Sequence, residues 1–438
     1  MDKIIPTLYK EYGQYINSSR SFPLDVDGLK PVERRVLLSA YQIAKDRFVK
    51  SARIDGHVIG NFHPHGSVYG TITQLVKQGF LDGQGNFGCN IGVEPEPPAA
   101  SRYTECKISR FILNFVFNYI QHVKWEVNEL SQKEPLYLPT MFPLCLLGNE
   151  FSQGIGFGYR SYIPCYKIGD LYKRLLWLLG VEKTRSTIKP IIDCNITSKN
   201  DDLETLLTTG KATINIEGII RENVTNNTVF LYSWPPGRKF ESLLSRFSKE
   251  FDNQDVGFCD LSVTKTKIEF KVLRQRNRDL IFKKFVEKLK DAVKGGISFE
   301  TIVVDSNEQV KLTSIDNLLL TTFNMFSNTT ENMLNYELTK IKEQILENQI
   351  LEKIKPVLSK KLTTMSKSQP EIIISSIAKE SKIKEEIVRQ LFSKYRIGKL
   401  LSLETDISSL LEQEKMIFEN LKDARKFVLL QYGGVMNE

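Results

Sequence analysis

Four short runs between residues 212 and 305, "ATINIEGII", "TVFLYSW", "TKIEFKVL" and "ETIVVD", constrain the fold of this chain most. Each is rich in β-branched and aromatic residues and is bounded by turn formers, so each predicts a strand. The segments between them carry helical spacing. Strands and helices interleaved in this way predict an α+β region from about Leu138 to Leu320 rather than an all-helical protein. Within it, "SWPPGRKFESLL" reads as a turn feeding a helix, its Pro-Pro acting as punctuation.

Both flanks differ from that centre. After residue 50, "SARIDGHVIGNF" predicts a short helix, "HPHG" a turn and "SVYGTITQLVKQ" a second helix, with Val68, Ile72, Leu75 and Val76 on one face and Ser67 as its N-cap. Helix, turn, helix is the arrangement that reads DNA, and it also occurs in helical proteins that touch none. Beyond Thr330 the pattern is long helix. Leu334, Leu338, Ile341 and Ile345 keep coiled-coil spacing before Asn348 interrupts it, and Ile417, Leu421, Ala424 and Val428 repeat the stripe near the end. The unit between, "MSKSQPEIIISSIAKESKIKEEIVRQLFSKYRIGKLLSL", predicts a helical knob on an antiparallel coiled coil, with a plain bundle as the alternative. A chain of 438 residues accommodates two or three domains, and the expected division is 1–137, 138–320 and 321–438.

Charge is unevenly placed. Between Lys30 and Arg53 stand seven cations (Lys30, Arg34, Arg35, Lys45, Arg47, Lys50, Arg53) against Glu33 and Asp46, in a chain whose whole net charge is +8. Such a cluster is either a solvated helix face or a phosphate-binding surface. His57, His63 and His65, three of only four histidines, fall in the same neighbourhood without further ligands at zinc spacing. They suit hydrogen bonding to phosphate or capping of a turn. The six cysteines form no CxxC pair and read as reduced thiols. No run approaches the roughly 18 apolar residues of a membrane span, and the N-terminus lacks a signal peptide's apolar core, so an intracellular location is expected with no membrane partner.

The chain shows no GxxxxGK[ST] loop, which speaks against ATP hydrolysis of the P-loop type. "GQGNFG" follows no convincing strand and opens no helix of a dinucleotide unit. Asp25 and Asp27 read as turn residues. No metal site is expected in this chain. The remaining candidate is Tyr103, directly after Arg102. A tyrosine with pKa about 10 is ionised at neutral pH roughly once in a thousand molecules, so as a nucleophile it needs a cation or metal beside it. Arg102 supplies a fixed positive charge that would also hold a phosphoryl oxygen as charge develops. Taken alone, the pair is equally a packing tyrosine and a surface arginine.

Five motifs in order change that balance. "DGLKPVERRVL" (27–37), "KSARIDGHVIGNFHPHG" (50–66), "LDGQGNFG" (81–88), "AASRYTE" (99–105) and "QGIGFGYRSYIP" (153–164) resemble the breakage and reunion subunit of type IIA DNA topoisomerases, found in gyrase, in topoisomerase IV and in their phage counterparts. The resemblance is strong over about residues 24–168. It implies a winged-helix domain, an α/β tower and a coiled coil carrying a helical dimer gate. It implies that Tyr103 attacks a DNA phosphodiester and is joined to the 5′ phosphate, assisted by Arg102, by Arg34 at the scissile phosphate and by His65. Lys30, Arg35, Lys50, Arg53, His63 and Ser67 become DNA-binding positions, and Ile155 the wedge that enters between bases.

The implied partners are double-stranded DNA, a second copy of the chain and an ATPase/Toprim subunit; Mg2+ belongs to the partner's Toprim domain and ATP to its ATPase domain. The setting implied is the cytoplasm or nucleoid of a prokaryotic or phage-infected cell. Two other readings are a DNA-binding architectural relative without turnover and a nuclease-like enzyme that cuts without religating.

Two departures from the bacterial pattern carry expectations. "HPHGSVYGTI" is about two residues shorter, and Gly70 replaces an acidic residue, so reduced sensitivity to quinolone-type drugs is expected; a cleavage titration with bacterial-like potency would refute this. The stretch between Gly88 and Tyr103 is longer and proline-rich. With the sequence ending at Glu438, relaxation and decatenation are expected rather than negative supercoiling.

Overall fold

The computed structural model describes residues 4–248, 250–251, 255–274, 276–364, 370–395, 400 and 406–436. Helices and small antiparallel sheets alternate, so the chain is α+β. It divides into two compact units, Met1–Phe326 and Ser327–Asn437.

The first unit begins with α1 (Ile4–Ile16), followed by α2 (Pro31–Ile43), α3 (Ser51–Asn61) and α4 (Tyr69–Lys77). Pro31 opens α2 at the position where its missing N–H is harmless. One face of α2 buries Val36, Leu37 and Ala40, α3 buries Ile54 and Val58, and α4 buries Ile72 and Leu75, so three short helices share one apolar centre. A three-stranded sheet closes it, with β1 (Val49–Lys50), β2 (Leu81–Gln84) and β3 (Glu105–Ile108) in the order β1-β3-β2.

Two sequence expectations are corrected here. The N-cap of α4 is Val68, and its backbone N–H is bonded by Asp55 of α3 at 2.7 Å; Asp55 also accepts from Ser67 Oγ at 2.8 Å. Ser67 Oγ in turn accepts from Tyr69 N–H at 3.3 Å, so the hydroxyl shares the helix start with a carboxylate that suits its positive end. Val76, half-buried, keeps its place on the inner face against β2, beside the buried Thr73. "GQGNFG" begins within a strand, its first two residues ending β2, and a Cβ at Gly83 would stand 2.5 Å from Val76 and 2.7 Å from Phe87. Only glycine permits β2 to lie this close to α4.

The four strand-like runs are strands, distributed over three sheets. A five-stranded antiparallel sheet orders Ser152–Gly156, Tyr159–Ile163, Lys294–Glu300, Lys211–Glu217 and Asn195–Ile196. A four-stranded sheet orders Ile220–Asn223, Thr228–Leu231, Ile268–Val272 and Val256–Asp260. Ile302–Val304 pairs with Val310–Leu312. The helices Phe240–Leu244 and Arg278–Ala292 cover the four-stranded sheet, setting Phe240, Phe282 and Phe285 against Phe270 of the sheet, each contributing roughly 1.5–3 kcal/mol by burial.

The helix Ile315–Thr364 starts upstream of the expected Thr330 and passes through Asn348 without a break. Leu351, Ile354 and Leu358 continue its buried stripe, so local apolar packing overrides the single polar residue. In the second unit they pack with Ile373, Ile374, Ile377 and Val388. The later stripe is split at Asp423 between Ile407–Lys422 and Ala424–Met436; Asp423 Oδ1 accepts from Lys426 N–H at 3.0 Å and so starts a new helix. Of the expected knob, residues 365–369, 396–399 and 401–403 lie outside the described residues.

Candidate active site and nucleic-acid interface

Tyr103 sits in the turn that leads into β3 and is 65 % exposed. The turn closes on itself, Tyr103 N–H donating to Ala100 O at 2.8 Å. Two N–H groups at the start of α3 fasten it from one side: Ser51 donates to Thr104 O at 3.0 Å and Ala52 to Ser101 O at 3.2 Å. From another side the Tyr69 hydroxyl donates to Ala99 O at 2.6 Å and lies 3.0 Å from Thr104 Oγ1, which itself donates to Ser51 Oγ at 2.8 Å. Gly85, at φ +105°, packs beneath, where a Cβ would come within 3.3 Å of Tyr103 O. The loop backbone is thus fixed while the tyrosine side chain projects outward. The Arg102 guanidinium lies 4.6 Å from the Tyr103 ring centroid, over its face.

At the far end of α3 stands a second cluster. Arg35 forms a two-pronged ion pair with Glu134, at 3.0 and 2.9 Å, and extends its remaining prong to His63 Nδ1 at 3.2 Å. Arginine has no acceptor, so Nδ1 accepts and the proton of neutral His63 is on Nε2, ready to be donated. Burial pushes the His63 pKa down, and the charges of Arg35, His65 and Arg20 push the same way. The His65 ring meets His63 edge-on at 5.0 Å, with its Nε2 3.9 Å from Glu129. His57 is bonded to the buried Ser39 at 3.1 Å and is pushed down by burial and by Arg53. Ten residue steps of α3 separate the tyrosine loop from the histidine turn, about 15 Å along the helix, so the two clusters do not touch within one chain.

The other expected residues are placed as follows. Arg34 is only 11 % exposed and grips the fully buried Asp27 through Nε at 2.7 Å and Nη2 at 3.0 Å. Burial works against its charge, Asp27 outweighs that, and the net shift is upward. Asp27 is therefore more than a turn residue, since it also accepts from the N–H groups of Leu29 and Leu138. Lys50 pairs with Glu105 across β1 and β3 at 2.9 Å. Arg53 is exposed on α3, and Lys30 reaches the carbonyl of Gln153.

Ile155 is 83 % exposed on the hairpin Ser152–Gly156 to Tyr159–Ile163. Its neighbours Gly154 and Gly156 press the strand onto residues 17–22, a Cβ at Gly156 falling 2.2 Å from Asn17 Oδ1. Asn17 in turn holds Phe157 by two backbone bonds of 3.0 and 2.7 Å. Ile155 is an apolar side chain raised on a braced ridge.

A family model for the A subunit of DNA gyrase/topoisomerase IV matches residues 20–430. The chain belongs to the DNA gyrase/topoisomerase IV A-subunit family. It is 34 % identical over 203 residues to a probable chloroplastic/mitochondrial DNA gyrase A subunit of rice, Oryza sativa subsp. japonica, covering 42 % of this chain and 21 % of that protein. It is 36 % identical over 185 residues to the DNA topoisomerase 4 A subunit of Synechocystis (39 % and 20 %) and 36 % identical over 206 residues to the DNA gyrase A subunit of Neisseria gonorrhoeae (42 % and 21 %). The chain thus spans about a fifth of the length of these relatives.

Sequence reasoning missed four residues around these clusters: Asp27, Asp55, Tyr69 and Arg20. Tyr69 had a signal, since a tyrosine on the inner side of an amphipathic helix must find a partner for its hydroxyl. Arg20, exposed and close enough to His63 to act on its proton, lies outside all five motifs.

Proposed function

We propose that the chain is the DNA-cleaving and religating subunit of an ATP-dependent type IIA topoisomerase that passes one duplex through a transient break in another. The observation that carries the reading is Tyr103, exposed on a backbone loop fixed from three sides, with the Arg102 cation over its ring. The Tyr103 oxygen attacks a DNA phosphorus; a Tyr O–P bond forms, the bond from phosphorus to the 3′ oxygen breaks, and the phenolic proton ends on that 3′ oxygen. Religation reverses each change. The phosphodiester is conserved in the link, so resealing needs no nucleotide. Arg102 is positioned to offset charge on the phosphoryl oxygens, and Nε2–H of His63 to donate to a backbone phosphate.

On this reading α2 to α4 with their small sheet form a winged-helix domain, the two larger sheets a tower, and the long helices a coiled coil ending in the dimer gate. Mg2+, bound by a partner Toprim domain, would offset phosphate charge, and ATP, bound by a partner ATPase domain, would drive strand passage. Among the described residues no group of three or more His, Cys, Asp or Glu side chains is arranged to hold a metal. The test is a detergent-quenched reaction with the partner subunit, Mg2+ and supercoiled plasmid. The reading expects protein on the 5′ ends of a linear product; free 5′ ends would overturn it.

Ile155 is proposed as the wedge between base steps. Ile155→Ala removes an 83 % exposed side chain, so stability is expected to hold while DNA bending and cleavage fall on the order of tenfold. Energy transfer between dyes at the ends of a short duplex reads the bend; an unchanged bend would remove the wedge role.

A further inference from the structure

The segment 89–98, the longer and proline-rich stretch before Tyr103, is tied at its tip to the four-stranded sheet. Asp260, at the end of the strand Val256–Asp260, accepts from Val93 N–H through Oδ2 at 2.8 Å and from Ser262 N–H through Oδ1 at 2.9 Å. Gly92 N–H donates to Thr266 Oγ1 at 3.3 Å, and Val93 packs against the sheet's phenylalanine core. The approach is close. Gly92 has φ +85°, and a Cβ there would stand 2.6 Å from Asp260 Oδ2.

From that tip the bonds run back to the tyrosine. Cys89 and Glu96 exchange backbone bonds of 3.1 and 2.9 Å, Asn86 Oδ1 accepts from Gly88 N–H at 2.7 Å, and Ala99 N–H donates to Asn86 O at 2.9 Å. Ala99 is the residue whose carbonyl Tyr69 holds, and Ala100 closes the Tyr103 turn. The segment is a strap with a ladder of its own, anchored on the sheet at one end and on the tyrosine loop at the other.

We propose that Asp260 is a positioning residue for Tyr103, holding the strap so that the tyrosine loop is presented in one place; this rests on the reading of Tyr103 as nucleophile. An ionised carboxylate only accepts, which is what two converging backbone N–H groups require. An asparagine satisfies one of them and turns its own N–H2 toward the other. A misplacement of about 1 Å at a reacting group lowers the rate as much as 100-fold.

The experiment compares wild type, Asp260→Asn, Gly92→Ala and Tyr103→Phe, each assembled with Mg2+ and the partner subunit. The rate of covalent adduct formation at saturating DNA is read beside DNA affinity. Labelling of Cys89 is read in a Cys259→Ser background, because Cys89 lines the cleft of about 490 Å3 between strap and sheet with Phe258 and Asp260. The proposal expects both Asp260→Asn and Gly92→Ala to slow the adduct roughly tenfold or more, leave DNA affinity within about twofold and speed Cys89 labelling. An unchanged adduct rate overturns it, as does a parallel loss of DNA affinity, which marks a merely structural contact. No adduct from wild type would overturn the nucleophile reading itself, and adduct persisting in Tyr103→Phe would assign the attack to another residue.

Discussion

Tyr103→Phe is expected to abolish the protein–DNA adduct, lowering cleavage by about four orders of magnitude or more, because phenylalanine has no oxygen to bond to phosphorus. Its fold is expected to be intact. Tyr103 is 65 % exposed, and its hydroxyl meets no hydrogen-bond partner among the described residues, so thermal stability should stay within about 0.5 kcal/mol of wild type. Binding to duplex DNA should also persist, since the substitution leaves untouched the cations expected to carry it, Arg53 and Lys50 among them, and it should fall steeply with salt. Arg102→Ala is expected to be milder, on the order of 100-fold, because it removes one stabilising charge and leaves the nucleophile. Gel analysis of detergent-quenched plasmid cleavage checks both. Adduct persisting in Tyr103→Phe would place the attack on another exposed tyrosine, of which Tyr9, Tyr12, Tyr15 and Tyr159 are candidates.

How much of this was legible in the sequence depends on the range over which each residue acts. The α+β character and the strands at 211–217, 228–231, 268–272 and 302–304 follow from local composition and were readable. The pair Arg102 and Tyr103 was readable because the two are adjacent. What holds the loop was not: Tyr69 and Ser51 reach Thr104 across 35 and 53 residues. Asp55 joins Ser67 at the start of α4 for the same reason, since a spacing rule sees the nearest hydroxyl and misses a carboxylate delivered by the preceding helix. The contact between Val93 and Asp260 spans 167 residues and has no local signature.

Asp27→Asn is expected to destabilise the first unit by about 3–5 kcal/mol, the largest stability effect expected near the site. The fully buried Asp27 carboxylate receives both prongs of Arg34 and the N–H groups of Leu29 and Leu138, so all its acceptor capacity is used. An amide there turns donors toward donors and strands the nearly buried Arg34 charge. Chemical denaturation followed by tryptophan fluorescence measures the loss, and a wild-type midpoint would refute it. The same pair decides what Arg34 does. Replacing both partners, Asp27→Leu with Arg34→Met, removes the buried charges together and is expected to recover much of the stability. If the recovered protein still forms the adduct at the wild-type rate, Arg34 serves only to join α2 to the residue 27–29 turn. If it is stable yet slow, Arg34 leaves Asp27 for a phosphate when DNA binds, which is the contact the resemblance implies for it. Stability and cleavage are then separated at one residue pair, and the comparison decides whether a DNA phosphate competes with Asp27 for the guanidinium.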